Sequence, residues 1–321
     1  MADKILCGVD LGGTKLSIGL FSLKAELVSE CTVTDHTALS GDETVHYTAE
    51  LVKSLLKKEG KQFSDLTGVG VGVAGHINFQ EGLIITSSNF PGTYRNYPFK
   101  NKLQQLLDAP VFLDNDANAQ AFGEYLFGAG QGRDNMVFLT VSTGVGSGII
   151  VKGKLLHGHS GFAGEIGHTI VKPESRIRCT CGNYGCLMAL CGTLGFSDRY
   201  KYCLQDGMES NLGIKAENVP HIDGKFLEQG LKAGDKISRQ IFEETANYIG
   251  IGIYNIYQTL NPQTVVLGGG LMKLGNEFFN IIESRFESLV QNMVWDKLEI
   301  VPASLGVLSG MLGAAALTLG K

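Results

Sequence analysis

Two stretches of this chain repeat one pattern: a short apolar run, a glycine-rich turn and a second apolar run. In the first half KILCGVD leads through LGGT into LSIGLFS, and in the second MVFLTV leads through STGVGSG into GIIVKG. Apolar and β-branched runs bounded by glycine spell strands joined by a tight turn. Two halves that each begin with a strand, a glycine hairpin and another strand suggest a duplicated α/β unit. In such a fold a ligand binds in the cleft between the halves, where glycine turns from both sides meet.

The rest of the chain fits this frame. Strands are predicted at 4–10, 16–22, 26–34, 68–74, 110–114, 136–141, 146–153, 264–270 and 298–303. Helices are predicted at 43–59, 99–107, 117–127, 236–260 and 276–291, with a small-residue helix at the C-terminus. The first carries Val45, Ala49, Val52, Leu55 and Leu56 on one face, with Asp42 as its expected N-cap. The helix over 236–260 sets Ile237, Ile241, Thr245, Tyr248, Ile249, Ile253 and Ile256 in one stripe, and Asn261-Pro262 ends it. At 321 residues the chain exceeds one comfortable core. Two domains are expected: a smaller α/β domain over 1–118 with 305–321, and a larger one over 119–304.

Composition excludes several classes of function. A net charge of -5 without a basic cluster argues against a nucleic-acid surface. No uninterrupted apolar run reaches the length of a membrane span, and MADKILCGVD does not read as a signal peptide. Seven cysteines, an odd number, with no export signal point to a reducing cytoplasm.

Four segments carry residues suited to chemistry. In VDLGGTK, the amides of Gly12 and Gly13 with the Thr14 hydroxyl can hold phosphate oxygens, and Asp10 can hold a hydrated Mg²⁺. The same segment also reads as a plain hairpin turn. A second glycine turn at STGVGSG gives a polyphosphate two loops to sit between. In VFLDNDANA a strand runs into Asp114, Asn115 and Asp116. Asp116 there is either a base that takes a proton from a substrate hydroxyl or the cap of the helix that follows. In GFAGEIGH, Glu165 and His168 share one face of a helical turn. The fourth segment, CTCGNYGC, places Cys179, Cys181 and Cys186 eleven and more residues after His168. Three thiolates and an imidazole complete a tetrahedral, structural zinc site with no position left for water. Free buried thiols are the alternative, and a disulfide is rarer in a reducing compartment.

Taken together, VDLGGTK, GVGVAGHIN, SSNFPG, DNDAN, STGVGSG, GFAGEIGH, CTCGNYGC and VVLGGG resemble the ROK sugar kinases in order and spacing, over nearly the whole chain. The resemblance implies a two-domain, ribonuclease-H-like fold of the actin and hexokinase ATPase type. It implies ATP-dependent phosphorylation of a hexose, glucokinase-like and usually at the 6-hydroxyl, with ATP, Mg²⁺ and structural Zn²⁺ as cofactors. On that basis Asp116 is expected as the catalytic base, and Gly75, Asn89, Asn115, Asp116, Glu165 and His168 as sugar contacts. Asp10, Gly12, Gly13, Thr14, Lys15, Thr143, Gly144, Gly269 and Gly270 are expected around ATP, and His168, Cys179, Cys181 and Cys186 around zinc. A homodimer or homotetramer is implied, with a small sugar and ATP as partners and neither nucleic acid nor membrane. The family's repressors carry an N-terminal winged-helix extension, whereas this sequence starts at the first strand, so DNA binding is not expected. One position departs from the pattern. ROK glucokinases usually place a glutamate two residues after the last zinc cysteine, accepting hydrogen bonds from hydroxyls at the anomeric end of the sugar. Met188 stands there, and a thioether cannot replace a charged acceptor. The expected consequence is a sugar modified at C1 or C2, such as a β-glucoside. A non-catalytic sugar sensor on the same scaffold is the alternative function.

Overall fold

The structure, a computed structural model, describes residues 4–87, 92–291 and 297–320. In chain order the strands are β1 (Ile5–Leu11), β2 (Leu16–Ser22), β3 (Leu27–Val33), β4 (Leu66–Val73), β5 (His76–Asn78), β6 (Leu83–Thr86), β7 (Val111–Asn115), β8 (Met136–Val141), β9 (Val145–Val151), β10 (Lys154–Leu155), β11 (Thr264–Gly268) and β12 (Glu299–Pro302). The α-helices are α1 (Gly41–Lys58), α2 (Phe99–Leu107), α3 (Asp116–Phe127), α4 (Leu187–Cys191), α5 (Phe196–Gln205), α6 (Gly224–Lys232), α7 (Lys236–Leu260), α8 (Asn276–Val290) and α9 (Ser309–Ala316). The chain forms two compact units. One comprises Met1–Phe138, Gly148–Gly164 and Ala303–Lys321, the other Leu139–Ser147 and Glu165–Pro302. The helix over Asp116–Phe127 belongs to the first unit, and the division passes within β8 and β9.

In the first unit a five-stranded sheet runs in the order β3-β2-β1-β4-β7. β1, β2 and β3 pair antiparallel as consecutive hairpins, while β4 and β7 join parallel to β1. Side chains alternate across a strand, and this sheet uses the alternation unequally. Ile5, Cys7, Val9 and Leu11 of β1, with Val69, Val71 and Val73 of β4, enter one core with Val45, Ala49, Val52 and Leu55 of α1 and Phe99, Leu103 and Leu107 of α2. On the opposite face β1 presents Gly8 and β4 presents Gly70. A β-carbon at Gly8 would lie 1.8 Å from the Met311 carbonyl oxygen, and one at Gly70 would lie 1.8 Å from that of Ala314. The backbone of α9 therefore rests on the sheet itself, which explains why this helix reads SGMLGAAA. A second sheet runs in the order β10-β9-β8-β11-β12, with β11 and β12 parallel.

The strong periodicities are all realised, and one local reading changes. Ser40, not Asp42, caps α1: its hydroxyl accepts from the Glu43 amide while the Glu43 carboxylate accepts from the Ser40 amide at 2.8 Å, a reciprocal capping box. Asp42 instead faces Tyr97 and Lys102. The hairpin β5–β6 and the helices α5 and α6 add elements beyond those predicted. The cap of α7 is Asp235, which accepts from the Ser238 amide and hydroxyl, the Tyr200 hydroxyl, and the Ser210 hydroxyl and Asn211 amide.

The close seat of α9 yields a stability prediction. Gly70→Ala puts a β-carbon into a backbone carbonyl, so no rotamer relieves it, and overpacking of this kind costs about 1–3 kcal/mol or more. Urea unfolding should show the loss, and Ala314→Gly should not restore it, because the obstructing atom is the main-chain oxygen.

Candidate active site

The site residues of the first unit sit at the C-terminal ends of β1, β4 and β7. Asp10 is the last polar residue of β1, and the turn after it closes through the Gly12 amide on the Lys15 carbonyl at 3.0 Å. Gly12 and Gly13 are half-buried, while Thr14 and Lys15 are exposed. His36, buried in the segment after β3, holds the same turn from behind, its Nε2 lying 2.8 Å from the Gly12 carbonyl. Burial raises the Asp10 carboxyl to about 6, the negative charge of Asp116 adds to the rise, and Lys15 opposes it. Asp10 and Asp116 are thus close enough to repel, an arrangement that favours a cation between or beside them.

The β7–α3 junction shows which residue caps α3. The cap of α3 is Asn115, whose Oδ1 accepts from the amides of Ala117 at 2.8 Å and Asn118 at 3.3 Å. Its Nδ2 donates to the Gly75 carbonyl at 3.0 Å, tying the end of β7 to the loop after β4. Asp116 is the first residue inside the helix, so capping is not its function. Its Oδ1 accepts from the neighbouring Ala117 amide at 3.0 Å. Behind this pair lies Asp114, which accepts from the Asn115 amide at 2.7 Å, from Asn118 Nδ2 at 2.9 Å and at 2.6 Å from His157 Nε2. His36, Asp114, Asn118 and His157 were not among the predicted site residues. The Asp114/Asn118 spacing of four across a helix start is a usable signal, whereas nothing in the sequence links His157 to residue 114.

The second unit carries two further groups. Its glycine turn at 142–144 closes through the Ser142 amide on the Gly144 carbonyl at 2.9 Å, with Ser142 and Thr143 exposed. Gly269 and Gly270, exposed at the end of β11, adjoin this turn: β-carbons there would meet the Val141 carbonyl at 2.3 Å and the Ser142 hydroxyl at 3.4 Å. The other group is the cluster of His168, Cys179, Cys181 and Cys186, whose ligand atoms all lie within 4.8 Å of one another. Glu165 opens the single helical turn Ile166–His168, and its carboxylate stands 3.8 Å from His168 Nε2. His168 Nδ1 lies 3.4 Å from Cys179 Sγ, and the sulfurs of Cys181 and Cys186 are 3.7 Å apart. Ligands of a tetrahedral zinc site with bonds of about 2.3 Å are separated by about 3.8 Å, so the four residues fit that ion. The Asn183 amide brings the Cys181 thiol down to about 7, while burial pushes Cys186 up to about 12. The knot is bonded to the His168 turn through the Leu187 amide on the Thr169 carbonyl and the Val171 amide on the Gly185 carbonyl, both at 2.9 Å.

Met188 follows the knot on α4, half-buried. Its sulfur lies 3.2 Å from the place a β-carbon on Gly144 would occupy, so the thioether packs against the glycine turn. Asn89, expected at the sugar, lies outside the described residues.

A sequence profile of the ROK family matches residues 6–321. The chain belongs to the ROK family. A glucokinase of Halalkalibacterium halodurans is 34% identical over 313 residues, covering 98% of this chain and 94% of that one. A xylose repressor of Caldicellulosiruptor bescii is 31% identical over 273 residues, covering 85% of this chain and 67% of that protein. Among solved structures, a ROK glucokinase from Streptomyces griseus in complex with glucose and AMPPNP superposes with a TM-score of 0.79 at 30% identity, covering 98% of each chain. The fold of this ROK protein is the actin and hexokinase-type ATPase fold. Among the described residues no helix is long and apolar enough to cross a membrane.

Two predictions follow from these groups. Because the folded-state pKa of Asp10 is raised, its neutral form is the favoured one: stability is fully present below the unfolded value near 3.8 and falls as pH rises toward about 6. In metal- and nucleotide-free buffer, Asp10→Asn should therefore gain on the native protein between those values, reaching up to about 3 kcal/mol at neutral pH. Urea melts at pH 5 and pH 8 measure the difference. Zinc analysis of the purified protein should find one ion per chain, and Cys179→Ser or Cys186→Ser should lose it with a lower thermal midpoint.

Proposed function

We infer that this ROK protein is an ATP-dependent sugar kinase that transfers the γ-phosphate of ATP to the 6-hydroxyl of a hexose or hexose derivative. Asn115 carries this reading: because it caps α3, Asp116 is left for chemistry, and the carboxylate stands in the same electrostatic neighbourhood as Asp10. Asp116 accepts the hydroxyl proton as the sugar oxygen bonds to the γ-phosphorus and the bond from that phosphorus to the β,γ-bridging oxygen breaks, releasing ADP. Gly75, Asn89 and Asn115, with Glu165 and His168, hold the sugar. The turns at 10–15 and 142–144 hold the phosphates, and Gly269 and Gly270 lie against the nucleoside. Asp10 would hold Mg²⁺, which when bound would offset charge on the phosphates. His168 and the three cysteines would hold Zn²⁺, and their cluster would then fix the turn that presents Glu165 and His168. The likeness to the glucokinase that binds glucose and AMPPNP supports this assignment of partners.

Met188 narrows the substrate. An apolar wall replaces a charged acceptor for hydroxyls at the anomeric end, and loss of such an acceptor costs a few kcal/mol of binding. The sugar we propose is one altered at C1 or C2, with a β-glucoside as the leading case. The rival is a sugar sensor without catalysis, on the scaffold shared with the xylose repressor.

Coupled ADP release over glucose, N-acetylglucosamine, mannose, fructose, allose and a β-glucoside separates these readings. Turnover with at least one sugar is expected, and Asp116→Asn should reduce it by about 10²–10⁴-fold, the usual contribution of a general base. Silence on the whole panel with Zn²⁺ and Mg²⁺ supplied favours the sensor. Met188→Glu should move the preference toward free glucose by at least about tenfold, and an unchanged preference refutes the specificity reading.

A further inference from the structure

The buried pair formed by Asp114 and His157 lies outside every role assigned above, yet Asp114 immediately precedes the two residues that carry the proposed chemistry. Asp114 is 5% exposed. A carboxylate this far from water is retained only if its oxygens are satisfied. Oδ1 takes the Asn115 amide and the Asn118 side chain, both part of the strand-to-helix turn. Oδ2 takes His157 Nε2 at 2.6 Å, a short contact from a residue 43 positions away. That imidazole is the link between the turn and the segment after β10.

His157 is itself held on its other sides. The ring of Phe79, in the turn between β5 and β6, stacks on it with centroids 3.7 Å apart and planes 14° from parallel. Its carbonyl accepts from the Ala163 amide at 3.1 Å, closing the loop that follows. That loop is pressed on the same hairpin: a β-carbon on Gly161 would lie 2.5 Å from the Ile77 carbonyl, and Phe162 packs on His76 at 4.7 Å between centroids. The ring therefore has little freedom to leave Asp114, and Asp114 has one long-range donor fixing its second oxygen.

We propose that His157 is a positioning residue for phosphoryl transfer: clamped between Phe79 and Asp114, it sets the β7–α3 turn that carries Asn115 and Asp116. The proposal rests on the reading of Asp116 as the base. A misplacement of about 1 Å at a reacting group costs about 100-fold in rate. The effect is on kcat, because the turn aims the base.

The test compares His157→Gln, whose amide nitrogen can reach Asp114 Oδ2, with His157→Leu, which fills the space but cannot donate. On the best sugar of the panel, His157→Leu should lower kcat by about 10- to 100-fold with the KM for ATP changed less than about twofold, and His157→Gln should recover most of the loss. Circular dichroism checks that both variants are folded. Equal kcat in the two variants, or a His157→Leu protein as active as the native one, overturns the proposal. If His157→Leu does not fold, Phe79→Leu, which frees the ring but keeps its donor, takes its place: a lowered kcat at unchanged KM for ATP supports the clamp, and an unchanged kcat overturns it. Asp116→Asn measured alongside tells the two readings apart. Full turnover there sinks the base assignment itself, whereas a dead Asp116→Asn with an active His157→Leu sinks only the clamp.

Discussion

The glycines that β1 and β4 turn toward α9 let two backbones meet without side chains between them, and the chemistry of the first unit grows out of that contact. A helix seated this closely brings its own first turn against the end of β1. Gly310 stands there, with the Asp10 Oδ2 only 2.3 Å from where a β-carbon would be. The packing that closes the core thus also strips water from the strand-end carboxylate, and desolvation is the largest cause of its raised pKa. A desolvated, crowded Asp10 carboxylate beside Asp116 is a poor feature for stability and suits a divalent cation, since the ion offsets what burial and repulsion cost.

Much of this architecture was legible in the sequence because periodicity is a local property. GVGVGV alternates valine with glycine, and that alternation already contains both faces of β4: one for the core with α1 and α2, one bare for α9. Caps were harder. Asp42 and Ser40 both suit a helix start, and the reciprocal bond with Glu43, three residues after Ser40, decided for the serine. The helices α5 and α6 are only ten and nine residues long, too short for a periodic stripe to stand out in the sequence.

The candidate site divides the same way. Residues contiguous in sequence could be grouped by inspection: Asp10 with its glycine turn, Asn115 with Asp116, and the three cysteines with His168. His168 could be grouped with the cysteines because tetrahedral zinc needs four ligands, and the four ligand atoms lie within 4.8 Å of one another. What stayed hidden were contacts that only the fold creates. His36 bonding the Gly12 carbonyl and His157 bonding Asp114 join segments 24 and 43 residues apart, with no spacing rule to announce them. Which of Asn115 and Asp116 caps α3 likewise depended on the fold, because the two are equally good capping residues by type.

Met188 is where local and tertiary information disagree in emphasis. The resemblance points this residue at the sugar, two positions beyond the last cysteine of the knot. By structure it also concerns the glycine turn, with its sulfur against Gly144. The segment just after it is bonded to that turn as well, through the Thr193 amide on the Ser142 carbonyl at 3.0 Å and the Leu194 amide on the Thr143 carbonyl at 3.2 Å. Knot, short helix and glycine turn therefore form one continuous piece of the second unit. A flexible, uncharged side chain suits a seat between them, because it fills the gap without placing a negative charge beside a turn proposed to hold phosphates. On the reading proposed for this position, the departure from the glutamate pattern would remove an acceptor for a sugar hydroxyl and also lower the negative charge next to the turn, so a change in sugar preference would come coupled to the electrostatics of a loop proposed to hold phosphates.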